Sequence, residues 1–218
     1  MQALLVVDID HYNNWKPDDI EEDGQKHQVA REIKRALKEK RAGNEIIVFI
    51  VLSHRDKITG QEIQLNRNPQ SIVKNQSLMQ RMLNRIKTNR PSDAESESWE
   101  CFVCDKLPED NRLAPFLEHR HQEPFEAVFI KTENDAFTNK ELAPYLRSKG
   151  VDEVVLVGCS TFHCILETAK GALKAGFDVS LLSTCAYEPF SEKTKSQEDW
   201  LEYAQRGSGQ SEFTAKII

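Results

Sequence analysis

Three residues of complementary chemistry fall at or near the ends of short apolar runs. Asp8 follows Leu4–Val7, Lys131 follows Ala127–Ile130, and Cys164 closes the stretch GCSTFHC (Gly158–Cys164) after Val154–Val157. Thiolate is the nucleophilic form of cysteine, and a free thiol with a pKa of about 8.5 is mostly protonated at neutral pH. A helix start offers about half a positive charge, and a neighbouring ammonium lowers a thiol pKa. The residues therefore suit a Cys164 thiolate held by Lys131 and by the helix that follows the turn. Asp8 would take the thiol proton and return it to a leaving group. Backbone N–H groups of the turn would hold a developing oxyanion. Each residue also has a plainer reading. An acid often ends a first strand, a lysine after a strand is usually solvated, and a cysteine at a strand–helix junction usually packs. Their shared position at strand ends sets the chemical reading above the plain one.

The elements that must bring these residues together are legible as five apolar runs: Leu4–Val7, Ile46–Leu52, Ala127–Ile130, Val154–Val157 and Val179–Leu182. They barely alternate, as expected of strands buried on both faces of a parallel sheet. Helical spacing lies between them. Residues 25–42 carry Val29, Ile33, Ala36 and Leu37, with Gly43 as a stop. Thr138 and Glu141 read as a capping box before a helix that ends at Gly150. A further helix over 161–175 ends at Gly176, and another lies around Gln197–Gln205, before Gly207–Gly209 and a short apolar tail. Strand, helix and strand repeated this way predict a three-layer α/β/α sandwich with a mostly parallel sheet of five or six strands. Ligands bind such sheets at the carboxyl ends of the strands.

The chain has 218 residues and reads as a single domain, 1–218, with an insertion at about 59–122. Within the insertion, Ile72, Met79, Met82, Leu83 and Ile86 have helical spacing, and SDAESES (Ser92–Ser98) reads as a polar loop. The formal charge of −6 leaves no basic excess to neutralise a phosphate backbone, so no nucleic-acid partner is expected. The longest apolar run, Ile46–Leu52, is far short of the roughly 20 residues of a membrane span. The opening MQALLVVDID lacks the basic start of an export signal. The five cysteines are an odd number and read as thiols, so a cytoplasmic setting is expected.

At this point the residues resemble a known family, the isochorismatase-like cysteine hydrolases, which include nicotinamidases. ALLVVDID (Ala3–Asp10) is similar to the family's opening strand with its catalytic acid. VFIKTENDAF (Val128–Phe137) is similar to its strand–lysine segment. VVLVGCSTFHCILETAKGALKAGFDVSLL (Val154–Leu182) is the most specific match, with a glycine, a short turn, the cysteine, a Thr-Ala helix and the next strand. The resemblance covers most of 2–58 and 124–187. It implies Asp8 as general base, Lys131 as thiolate stabiliser and Cys164 as nucleophile. It also implies a cis peptide between Cys159 and Ser160, with the N–H groups of Ser160 and Cys164 forming the oxyanion hole. The implied reaction is hydrolysis of a small-molecule amide or related C–N bond through a thioester, by a protein that forms dimers or tetramers. Tyr12, Phe137 and His163 are the candidate substrate-binding side chains. The family's metal-binding members carry Asp-x-His after the second strand. Here the order is Ser53-His54-Arg55-Asp56, so no metal and no other cofactor is expected.

Other signals are weaker. Cys101 and Cys104 form one CxxC without a second pair at zinc-site spacing. Asp8 and Asp10 also fit the opening motif of haloacid-dehalogenase-like magnesium phosphatases, but no paired carboxylates follow a later strand, and Cys164 would be idle. A catalytically silent binding protein of the same fold is the third alternative.

Overall fold

A computed structural model describes residues 1–10, 15, 24–52, 113–117, 126–131, 133–189, 195–209 and 212–218. Six strands form one sheet in the order β3-β2-β1-β4-β5-β6, every neighbouring pair parallel. They are β1 (Gln2–Val7), β2 (Ile46–Leu52), β3 (Glu126–Lys131), β4 (Glu153–Cys159), β5 (Asp178–Tyr187) and β6 (Ala215–Ile217). The helices are α1 (Gly24–Ala42), α2 (Leu142–Ser148), α3 (Leu166–Lys174) and α4 (Gln197–Ser208).

Strand alternation sorts the core into two layers. Leu4 and Val6 face α1, where Val29, Ile33 and Leu37 close over them with Trp15. Ala3, Leu5 and Val7 face the other way, against Leu142 and Leu146 of α2, Ala169 and Leu173 of α3, and Trp200 of α4. With both faces covered, the strands have no polar side, hence the continuous apolar runs. The strand order reverses between β1 and β4, which is where an open sheet of this kind leaves a crevice at its carboxyl edge.

The expected sandwich is present, and several details differ. Helix α1 is stopped by Asn44, whose φ of 50° is left-handed, rather than by Gly43. The expected capping box at Thr138 and Glu141 is absent. A separate 3₁₀ turn, Ala136–Thr138, intervenes, and the Asp135 carboxylate caps it by accepting the Phe137 N–H at 2.8 Å. The Glu141 N–H instead donates to Asn139 Oδ1 at 3.0 Å. The helix expected over 161–175 opens as a wide π turn, Thr161–Ile165, before α3 begins. Strand β5 runs five residues beyond Leu182, because a register shift lets Ala186 and Tyr187 pair with Gly158 and Cys159. Helix α4 extends to Ser208, started by a capping box of Ser196 and Asp199. The apolar tail is the sixth strand.

Two glycines lie at close approaches, Gly158 to backbone and Gly171 to a side chain. Gly158 has φ 127°, and a Cβ there would lie 2.1 Å from Val7 O. A Cβ at Gly171 would lie 2.2 Å from Asp135 Oδ1. Of the expected insertion, only 113–117 is described. Ala114 and Leu117 are buried in the α1-side core, and Leu113 bridges Asp10 antiparallel. The helix expected around Ile72–Ile86, the Ser92–Ser98 loop, and Cys101 and Cys104 lie outside the described residues.

Candidate active site

Asp8 is the residue at which β1 stops. Its φ of 53° turns the chain out of the sheet, and its N–H donates to Ile50 O at 2.9 Å. The carboxylate is buried. Lys131 ends β3, two strands away, a lateral distance of about 10 Å at ordinary strand spacing. Its long side chain crosses that gap and sets Nζ 2.8 Å from Asp8 Oδ2. The contact is short but oblique: neither Asp8 oxygen accepts a well-angled hydrogen bond among the described residues. The pair is a charge contact. The directed hydrogen bond of the ammonium goes to Asn134 O at 2.9 Å.

Cys164 is half-buried in the π turn after β4 and interacts electrostatically with both Asp8 and Lys131. The three expected residues thus meet, from the ends of three strands. Their electrostatics differ from expectation in one respect. Burial, reinforced by the Asp8 charge, pushes the Cys164 thiol up to about 12, against the opposing pull of Lys131. That direction makes Cys164 a thiol at neutral pH rather than the expected thiolate. Desolvation and an adjacent carboxylate outweigh a single ammonium. Asp8 is raised above the ordinary carboxylate value by burial, with Lys131 pulling it down. Burial alone would lower Lys131, but the Asp8 charge and Cys164 more than offset it, so the ammonium is raised.

The turn carrying Cys164 is held from three directions. The Cys159–Ser160 peptide is cis. Ser160 Oγ and the Phe162 N–H both donate to Glu188 Oε2, at 2.7 and 2.8 Å. Trp200 Nε1 of α4 donates to Thr161 O at 3.1 Å. The Ile165 N–H reaches back to Ser160 O at 3.0 Å, which closes the wide turn.

The candidate substrate-binding residues fare differently. His163 sits half-buried in the turn beside Cys164, its N–H bonded to Ser160 O. Phe137 packs into the core, with its ring 5.7 Å from that of Phe177. No described contact joins it to the reactive groups. Tyr12, His54 and Asp56 lie outside the described residues. Asp10, the second acid of the phosphatase alternative, is fully buried.

Two site residues escaped the sequence reading. Glu188 lies in the polar extension beyond Leu182. Asn134 lies within the matched lysine segment, but nothing in its type or spacing marks it. Asn134 Oδ1 accepts from the Cys164 thiol at 3.6 Å.

Comparison with known proteins now bears on this geometry. The model of the isochorismatase domain matches residues 2–208. Maleamate amidohydrolase of Pseudomonas putida is 35% identical over 109 residues, 49% of this chain and 51% of the relative. The match therefore spans about half the length of that curated relative. The pyrazinamidase/nicotinamidase structure from Streptococcus mutans superimposes with a TM-score of 0.59 at 19% identity, over 100% of both chains. N-carbamoylsarcosine amidase from Thermoplasma acidophilum gives 0.57 at 16% identity, over 99% of this chain and 95% of the other. At these identities the two structures show a shared fold.

Proposed function

The chain belongs to the isochorismatase family, and from that premise we propose that it is a cysteine hydrolase cleaving a small-molecule amide or related C–N bond. The observation that carries the reading is the convergence of Asp8, Lys131 and Cys164 at the carboxyl edge of the sheet. The relatives named as an amidohydrolase, an amidase and a nicotinamidase favour the same bond class. Nothing comparable supports the phosphatase alternative.

The proposed reaction follows from the proton inventory. Cys164 rests as a thiol, so it must lose its proton as it attacks. Asp8 takes that proton while Sγ bonds to the substrate carbonyl carbon. The oxyanion that forms is held by the N–H groups of Ser160 and Cys164. The C–N bond breaks, and Asp8 gives the proton to the departing nitrogen, leaving a thioester on Cys164. Water then loses a proton to Asp8 and attacks the thioester. The C–S bond breaks, the sulfur regains its proton from Asp8, and the acid leaves. Lys131 stays protonated throughout and offsets negative charge, first on Asp8 and then on sulfur.

A screen of small amides, read by release of amine and by the mass of the Cys164 peptide, tests the proposal. An acyl adduct on Cys164 is expected with a true substrate, and Cys164→Ala should lose turnover without losing the fold. Full turnover in that variant would refute the mechanism. The proposal also places the enzyme in the cytoplasm as a dimer or tetramer. The free thiols Cys159, Cys164 and Cys185 suit a reducing compartment, and light scattering on the purified chain reads the assembly.

A further inference from the structure

Asn134 touches two members of the site with different parts of itself. Its main-chain carbonyl accepts from Lys131 Nζ at 2.9 Å and from Thr168 Oγ1 at 3.4 Å. Its side-chain Oδ1 accepts from the Cys164 thiol at 3.6 Å, a hydrogen-bond length for sulfur. The first contact is made by backbone and survives a side-chain substitution, whereas the second is lost when the new side chain has no acceptor. The side chain can therefore be tested without unseating the lysine.

The chemistry of the side-chain contact is one-directional. An amide oxygen accepts a hydrogen bond but cannot take up the proton. A hydrogen bond made to the neutral form of an acid disfavours its ionisation. Asp8, on the neighbouring strand end, can take the proton. Among the polar neighbours of the sulfur, Asn134 can therefore only hold the proton, whereas Asp8 can also receive it.

We propose that Asn134 is a positioning residue that keeps Cys164 protonated in the resting enzyme and aims its S–H, until the proton passes to Asp8 as substrate is attacked. This rests on the reading of Cys164 as the nucleophile. Burial already pushes the thiol up to about 12, and a hydrogen bond from the neutral S–H to Asn134 acts in the same direction. The consequence is a nucleophile guarded against adventitious electrophiles when no substrate is bound.

The test needs no substrate. The infrared S–H stretch of Cys164 is isolated as the difference between the wild-type spectrum and that of Cys164→Ala. In Asn134→Leu, which keeps the approximate shape and removes the acceptor, the band should move to higher frequency. The second readout is alkylation of Cys164 by iodoacetamide at pH 8, followed by peptide mass. A hydrogen bond of ordinary strength shifts a pKa by about half to one unit. After allowance for the weaker nucleophilicity of a more acidic thiolate, Asn134→Leu should react about two- to fourfold faster. Asn134→Asp should react more slowly than wild type, because it adds a charge that opposes the thiolate. An unmoved band, or a Leu variant no faster than wild type, overturns the inference. Should the Leu variant fail to fold, an Asp variant that is no slower overturns it equally. These outcomes leave the nucleophile reading intact, whereas full amide turnover by Cys164→Ala removes that reading.

Discussion

Lys131 Nζ and Asp8 Oδ2 meet at 2.8 Å with both side chains closed to solvent. An ion pair in such a place adds little over a packed apolar pair, but removing one partner strands a charge, at a cost of about 3–5 kcal/mol. Lys131→Met should therefore lower the free energy of urea unfolding by about that amount. Asp8→Asn combined with Lys131→Met should be less destabilised than the sum of the two single variants. Strict additivity would show that the two groups do not interact.

The pH dependence of turnover follows from the same pair. In the proposed reaction Asp8 must be ionised to accept the thiol proton, and burial raises it above the ordinary aspartate value. Activity should therefore fall with acid at a pH higher than an ordinary carboxylate would give. Cys164 sits at about 12 and Lys131 is raised above 10.5, so neither should produce a limb near neutrality. A profile of kcat/KM against pH reads both ends. An acid limb at the ordinary aspartate value would contradict the burial argument.

Asp135 offers a separate test on stability. Burial raises it from 3.8 to about 6, although it accepts the Phe137 N–H. The folded state then binds the proton more tightly than the unfolded state. Its stabilising contribution is present in full below about pH 4 and is lost as pH rises from about 4 to about 6. Unfolding of Asp135→Asn, compared with wild type at pH 4 and pH 7, should show that the variant is relatively more stable at the higher pH. An equal difference at both values would rule this out.

Glu188 is expected to matter through the turn it holds. One of its carboxylate oxygens, Oε2, accepts from both Ser160 Oγ and the Phe162 N–H. Glu188→Ala leaves both donors buried or part-buried without that acceptor, a loss of about 1–3 kcal/mol by the ordinary cost of an unsatisfied group. Because this turn carries the proposed oxyanion donors, kcat should drop more than KM rises. Glu188→Gln, which keeps an acceptor oxygen, should recover much of the rate. If the Gln and Ala variants were equally impaired, the hydrogen bonds would not be the reason.

The architecture was legible where burial is uniform. Leu4–Val7 and Ile46–Leu52 are closed on both faces, so their sequences are apolar without a break. Asp8 and Lys131 were legible because each stands where such a run stops. The second half of β5 was not, since Ser183, Thr184 and Ala186 are only partly buried or exposed, and their pairing with β4 depends on a register shift. Glu188 lay hidden behind that missed extension. Asn134 was illegible for another reason: its role comes from a backbone carbonyl and a side chain pointing to different partners. The thiol's protonation was misjudged because sequence shows which charges are near but not how far water is excluded.

The approach of the Asp135 carboxylate to Gly171 ties two positions 36 residues apart. A relative that carries any side chain at the second position must have shortened or redirected the first. In a set of homologues the two columns should change in concert, and a lone Gly171→Ala exchange would have to displace the cap of the turn that follows the lysine strand. Variation at that corner is thus expected to come as paired exchanges, or as a single one that swings the Asp135 carboxylate aside.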